Sequence, residues 1–175
     1  RLADSGLSPR AIEALVELDG ALFQWQRTVL KGEATGRILS EAGLGLELAQ
    51  FHALTAVLRV RHGIGRPAPQ APTVGLMAEE MNIDPSRASR IAADLIRRGY
   101  LRREAAQDDG RKSILRLTDR AEAAMEAFRD RRWNRFPRVF DGWTEDEIVA
   151  FSTLFGRYYH GMMRAYLSDE GRPEG

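Results

Sequence analysis

The chain has 175 residues, of which 43% are hydrophobic and 29% charged, and its formal net charge is +1. This composition is typical of a globular protein large enough for one good core, or for one core with a small appended unit. No apolar run approaches the roughly 18 residues that cross a membrane, and no signal-peptide pattern opens the chain, so we expect a cytoplasmic protein with no membrane partner. The absence of cysteine excludes disulfides, thiolate metal sites and cysteine-based redox sensing.

The N-terminal part predicts two helices separated by a break. A Ser-Pro pair at 8–9 is typical of a helix start, and apolar residues at helical spacing continue from there to the region of Gly32. Gly43 and Gly45 predict the break. Apolar residues along one face of 47–61 then predict a second helix.

After a loop rich in glycine and proline over 63–72, the chain predicts two short helices joined by a tight turn. Thr73 fits the N-cap of the first helix, and Asn82 fits its end because asparagine tolerates the left-handed conformation. Asp84 fits the N-cap of the second helix, and Gly99 ends it.

Two strands joined by a tight turn are predicted next. The Asp-Asp-Gly run at 108–110 favours a turn, and the residues of 113–117 alternate between two faces as a strand requires. Thr118 is predicted to cap a long helix that ends near Pro137, and a capping box at Thr144 is predicted to open a last helix.

Charge is unevenly distributed along the chain. The window from Asp84 to Arg120 has a net charge of +4, and the remainder of the chain has −3. Ten basic residues lie in the window: Arg87, Arg90, Arg97, Arg98, Arg102, Arg103, Arg111, Lys112, Arg116 and Arg120. Because affinity for a duplex depends on local neutralisation of phosphates, this asymmetry favours nucleic-acid binding. A solvated charged surface is the alternative.

The helix predicted over 84–99 separates two faces at about 100° per residue. Four apolar residues share one side: Ala88, Ile91, Ala92 and Leu95. Polar residues on or beside the other side are Ser86, Arg87, Ser89 and Arg90. We expect these four in the major groove, since arginine reads guanine O6 and N7 while serine hydroxyls and N-terminal amides suit phosphate oxygens. Arg97 and Arg98 lie farther along and are expected to contact the DNA backbone or to pair with acids.

The tip of the predicted hairpin carries Asp109, Arg111 and Lys112. A hairpin end is narrow enough to approach a minor groove, where the negative potential attracts arginine. Asp109 is expected to hold the Arg111 guanidinium by a forked ion pair, which lowers the cost of ordering it on binding. A plain charged turn is the alternative.

Four motifs run through this region: D-P-S-R-A-S-R at 84–90, L-I-R-R-G-Y-L-R-R at 95–103, D-x-R at 109–111 and I-L-R-L-T at 114–118. With helices on both sides, they resemble the multiple-antibiotic-resistance-regulator (MarR) family of bacterial transcription factors. The resemblance is specific over 73–121 and only architectural elsewhere.

The resemblance implies that the helix matching 84–99 lies in the major groove, that Arg111 enters the minor groove, and that the first and last helices build a two-fold dimer. It also implies that a small ligand, often a phenolic or other aromatic acid, binds between the dimer helices and the winged domain. The Pro-rich loop at 66–72 and the extended N-terminal helix region depart from the family pattern, and both can reshape a ligand pocket.

We therefore expect a mainly α-helical fold with a small antiparallel β-hairpin, a winged helix-turn-helix flanked by dimerisation helices. The expected parts are N-terminal dimerisation helices over 1–46, a DNA-binding domain over 47–120 with its recognition helix at 84–99 and wing at 100–117, and C-terminal dimerisation helices over 118–175. The terminal helices carry more apolar surface than a small winged-helix core can bury, which favours a dimer over a monomeric helical cap.

The expected function is that of a sequence-specific DNA-binding transcriptional regulator, a repressor that binds a pseudo-palindromic operator as a homodimer and is released by a small aromatic or phenolic ligand. The expected contacts to double-stranded DNA are Thr73, Ser86, Arg87, Ser89, Arg90, Asp109, Arg111 and Lys112. The alternative is a winged-helix module for protein contacts that does not bind DNA.

Other chemistries have weaker support. No phosphate loop or catalytic motif is present, so no enzyme activity and no cofactor are expected. A metal site is not expected, because no pair of histidines has the i, i+4 spacing of a helix-borne site among His52, His62 and His160. Four aromatic residues can line an effector pocket, although core or dimer contacts are the commoner role at helical spacing: Trp25, Phe51, Trp133 and Trp143.

Overall fold

The structure, a computed structural model, describes residues 6–105 and 113–167. In chain order the elements are α1 (Pro9–Lys31), α2 (Glu33–Glu41), α3 (Leu48–His62), α4 (Val74–Met81), α5 (Pro85–Arg97), β1 (Leu101–Ala105), β2 (Ser113–Leu117), α6 (Asp119–Arg135), a short 3-10 helix (Phe136–Phe140) and α7 (Glu145–Leu167). The strands form one antiparallel pair, which with the helices confirms the predicted fold class. Within the described ranges, no helix has the length and apolar character needed to span a membrane.

Side-chain caps set most of the predicted helix boundaries. Ser8, Thr73 and Asp84 accept hydrogen bonds from first-turn amides of α1, α4 and α5, respectively. Asn82 ends α4 with a φ of 50°, a left-handed conformation that asparagine adopts at low cost. The predicted capping box of α7 is present, since Thr144 N–H donates to Glu147 at 2.7 Å.

Helix α2 was not predicted from the sequence. It follows α1 directly through Gly32, whose φ of +65° lets one residue end α1 and start α2. The helix has nine residues, an internal glycine at Gly36, and only two buried side chains, Ile38 and Leu39. So short an apolar pattern does not distinguish a helix from a loop in the sequence, because the helical state of this segment depends on packing rather than on local preference. The helix predicted over 47–61 is therefore the third helix of the chain.

The core of the winged domain is a cluster of apolar side chains from α3, α4, α5 and the sheet. Its largest fully buried members include Leu54, Met77, Leu95, Leu101 and Leu115. Large apolar side chains from three helices and both strands thus bury apolar surface in one cluster, which fixes the depth at which α5 sits on the domain.

The Pro-rich segment before α4 is held at both of its ends. At its start, Arg66 donates to Glu80 and Glu79 of α4, each at 3.0 Å, and its side chain is only 13% exposed. At its end, Pro72 O accepts the amide of Leu115 at 2.7 Å, which joins the segment to β2. This segment, which departs from the family pattern, is therefore held against α4 and β2.

The described residues divide after Arg131 into two compact units. In the second unit, ring-to-ring contacts at centroid distances of 5.4 or 5.5 Å connect Trp133, Phe136, Phe140, Trp143 and Phe151. Large apolar residues of α7 remain exposed, among them Leu154 at 57% and Tyr159 at 48%. Helix α1 of the first unit also has no buried residue, although Phe23, Trp25 and Val29 lie on it.

Candidate nucleic-acid interface

Helix α5 presents one apolar face to the core and one polar face to solvent, as the sequence predicts. Ala88, Ala92 and Leu95 are fully buried, and Ile91 packs against the same cluster. The opposite residues are all exposed: Ser86, Arg87, Ser89 and Arg90. Because burial of the alanine face fixes which side points outward, the two arginines and two serines form a continuous exposed patch, which we call the reading face.

The first turn of α5 is saturated by its own cap. Asp84 accepts hydrogen bonds from the Ser86 amide at 2.7 Å and the Arg87 amide at 3.4 Å, and from the Ser86 hydroxyl at 2.5 Å. That hydroxyl, then the two amides, and then the charge of Arg90 hold the pKa of Asp84 below its ordinary value.

This saturation corrects one expectation about phosphate binding. The amides that we expected to be available at the start of α5 already donate to Asp84, and Pro85 has no N–H. The hydrogen of the Ser86 hydroxyl is likewise directed to Asp84. In this conformation the positive groups available to a phosphate on the reading face are therefore the guanidinium groups of Arg87 and Arg90.

Ion pairs divide the basic residues of the window into two groups. Arg97 pairs with Asp94, and Arg98 lies 3.9 Å from the same carboxylate, so both pair with an acid as expected. Across the described ranges, Arg87, Arg90 and Arg103 form no ion pair, and all three are exposed.

The base of the wing carries ion pairs that the sequence reasoning missed. Glu104 binds Arg102 at 2.9 Å through one carboxylate oxygen and Arg116 at 3.1 Å through the other. Arg102 lies directly opposite Arg116 in the strand register, so the carboxylate relieves a repulsion between like charges. Two of the ten basic residues are thus neutralised by a neighbour rather than available to DNA.

Arg103 is a further candidate contact that the sequence reasoning did not single out. It lies opposite Leu115 in the register and therefore on the same face of the sheet as Leu101, but it is exposed. The strand alternation that puts Leu101 in the core was the available signal, because it places Arg103 on the domain side of the wing. The position is suited to a phosphate contact beside the reading face.

The other predicted contacts lie at the edges of this surface. Thr73 is half-buried, and its hydroxyl oxygen accepts the Leu76 amide at 3.2 Å as the N-cap of α4. Asp109, Arg111 and Lys112, with the forked ion pair expected between the first two, lie outside the described residues. The contacts of all these residues with DNA stay predictions.

A cavity of about 480 Å³ adjoins the reading face. Its apolar wall includes Leu30 of α1, Leu48 of α3 and Ile91 of α5, and its charged wall includes Arg59 and Arg87. The volume is within the range of small-molecule sites. Its lining contains none of the four aromatic residues considered for an effector pocket, and one of them, Phe51, instead packs at a tilt against Phe128 with ring centroids 4.2 Å apart.

Comparisons with known proteins agree with this geometry. A MarR family model matches residues 44–112. A Bacillus subtilis (strain 168) protein, described as the uncharacterized HTH-type transcriptional regulator YhjH, is 28% identical over 113 residues, which cover 63% of this chain and 59% of that protein. The match therefore spans less than two thirds of that relative.

Two solved structures share the fold over most of the chain. A MarR family protein from Bacillus stearothermophilus is similar at a TM-score of 0.66 and 21% identity, covering 90% of this chain and 99% of the other. A mutant of S. aureus MepR bound to an oligodeoxyribonucleotide is similar at a TM-score of 0.56 and 17% identity, covering 82% and 96%. The segment from α3 to β1 matches the family model, and the fold over most of the chain is similar to that of solved structures of the family. Over residues 44–112, which include α3, α4, α5 and β1, the chain is similar to the MarR family.

Proposed function

We propose that this protein is a sequence-specific DNA-binding transcriptional regulator that acts as a repressor. The observation that carries the proposal is the reading face, where Arg87 and Arg90 project opposite the buried alanine face of α5. Neither forms an ion pair with another described residue, so no internal pair must be broken before they bind phosphates or guanine edges. The S. aureus MepR mutant, which has this fold, is in complex with an oligodeoxyribonucleotide.

The regulator is proposed to act as a homodimer on a pseudo-palindromic operator. Support comes from large exposed apolar side chains on α1 and α7, which a monomer would leave in water: Phe23, Trp25, Val29, Phe151, Leu154 and Phe155. Covering such residues with a second copy removes apolar area from water, and two-fold symmetry duplicates the reading face. Two recognition helices about 34 Å apart would then read half-sites one helical turn apart.

Release by a small aromatic or phenolic acid is the proposed signal. The 480 Å³ cavity offers an apolar wall for a ring and the Arg87 guanidinium group for a carboxylate, whereas Arg59 already pairs with Glu80 at 3.1 Å. Arg87 belongs to both the cavity wall and the reading face. An acid that binds Arg87 therefore competes with a DNA phosphate for the same cation, which lowers affinity for the operator.

The test is binding of the purified protein to the duplex next to its own gene, measured by mobility shift across a salt series. We expect a discrete complex at moderate salt whose affinity falls steeply as salt rises, because each neutralised phosphate releases counterions. The alternative, a winged-helix module for protein contacts, predicts negligible binding to the duplex even at low salt. Hydroxybenzoates added to the preformed complex test the release step separately.

A further inference from the structure

The C-terminal end of α5 is fastened to the start of α3 by a polar cluster of Gln50, Asp94 and Arg98, which we call the Gln50 clamp. The Gln50 amide nitrogen donates to Asp94 Oδ2 at 2.7 Å. The Gln50 amide oxygen accepts from Arg98 Nη1 at 2.7 Å. Arg98 also donates to the Gly45 carbonyl at 2.6 Å, which extends the clamp to the segment between α2 and α3.

The clamp requires both the amide nitrogen and the amide oxygen of Gln50. The Gln50 side chain makes a third hydrogen bond, in which Oε1 also accepts from the Glu47 amide at 2.9 Å, so its position is fixed by the capping box of α3. A carboxylate at this position would keep the two accepting roles but would lose the donor and meet Asp94 as a like charge. Asp94 and Arg98 are only 27% and 29% exposed, which strengthens these bonds relative to surface pairs.

Apolar packing decides which side of α5 faces the core, but it does not fix the fine rotation of the helix about its axis. The buried face of the helix combines the small side chains Ala88 and Ala92 with Leu95, and apolar contact is non-directional. Hydrogen bonds are directional, and those of the clamp lie at one end of the helix. A rotation of α5 by about 20° would move side-chain ends at its radius of about 5–6 Å by roughly 2 Å. That exceeds the tolerance of about 0.5 Å within which a binding group must be held.

We infer that Gln50 and Asp94 are positioning residues that set the rotation of the reading face and thereby the discrimination between operator and other DNA. The inference rests on the proposed function, because it assigns a role in reading DNA. Neither residue belongs to the reading face, and Asp94 carries a negative charge, so the clamp acts through Arg87 and Arg90. The loss of the clamp lowers affinity for the operator while leaving the sequence-independent attraction to phosphates.

The test reverses the direction of the hydrogen bond between Gln50 and Asp94. Gln50→Glu removes the donor. The double variant Gln50→Glu with Asp94→Asn restores a hydrogen bond in the opposite direction at unchanged net charge. Asp94→Asn alone keeps an amide that accepts from Gln50, and it controls for the charge. For each variant the measurement is the ratio of affinities for a selected operator and for a scrambled duplex of equal length, with the salt slope and the thermal unfolding midpoint.

We expect Gln50→Glu to lower the affinity ratio about tenfold or more, the size of one lost base contact, at an unchanged salt slope. The double variant should return the ratio to within about threefold of the wild type, and Asp94→Asn alone should stay within the same range. A merely structural role predicts parallel losses on both duplexes that follow the unfolding midpoint. An unchanged ratio in Gln50→Glu, or no rescue in the double variant, overturns the inference alone. A wild-type protein with no preference for any duplex overturns the proposed function as well.

Discussion

Arg90 offers the sharpest perturbation of the reading face, and Arg97 on the same helix offers a matched control. Arg90 is exposed on the side of α5 opposite the buried alanines, whereas Arg97 is paired with Asp94. One bidentate contact between arginine and guanine contributes about 1–3 kcal/mol of discrimination. A two-fold dimer carries two copies, so Arg90→Ala is expected to weaken operator binding by about 2–6 kcal/mol if the two contributions add, at least roughly 30-fold.

The assay is fluorescence anisotropy on the operator and on a scrambled duplex at moderate salt. Arg90→Ala should lose far more affinity for the operator than for the scrambled duplex. Arg97→Ala should change either affinity by less than about threefold, because an exposed ion pair contributes little and lies toward the far end of the helix. Equal losses on both duplexes for Arg90→Ala would make Arg90 a phosphate contact. No loss on either would refute the assignment of the reading face.

Three further predictions address the core, the helix cap and the cavity. Leu95→Ala should lower the free energy of unfolding by about 2–5 kcal/mol in urea titrations, since Leu95 is fully buried, and a loss below about 1 kcal/mol would contradict that placement. The pKa of Asp84 is held below its ordinary value, chiefly by the Ser86 hydroxyl, so the stability it adds is present above about pH 4 and is lost as pH falls through the lowered pKa. Wild type should therefore unfold at a higher temperature than Asp84→Asn at neutral pH, and the gap should close in acid; a gap independent of pH would exclude the titration of Asp84 as its cause. Ala49→Phe should place a ring in the cavity and narrow it, abolish the thermal shift caused by hydroxybenzoates and leave operator affinity within about threefold, whereas a full ligand response would place the ligand elsewhere.

Features determined within a few residues of the chain were predictable from the sequence. The two faces of α5 follow from helical periodicity between Ala88 and Leu95, and the caps at Ser8 and Asp84 act within three residues of themselves. The amphipathic pattern of α5 was therefore sufficient to place the reading face. Helix α2 lacked such a pattern, because its helical state depends on the packing of only Ile38 and Leu39.

Features that depend on distant residues or on hydrogen-bond direction were not predictable. Gln50 is 44 residues from Asp94 and 48 from Arg98, so no local pattern relates them. Glu104 can neutralise Arg102 and Arg116 together only in the observed strand register. A slip of one residue would move the side chains of one strand to the other face of the sheet. The Ser86 hydroxyl can donate to a phosphate or to Asp84, and the residue type alone does not decide between these two acceptors.

In the proposed dimer, a pair of symmetric reading faces recognises a specific duplex. Selection of bound duplexes from a random pool by the full chain tests it most directly. We expect recovery of a pseudo-palindrome whose half-sites lie about one helical turn apart, with the strongest preference at positions that Arg90→Ala relaxes. A recovered pool with no shared sequence, or a single asymmetric site unaffected by Arg90→Ala, would contradict it.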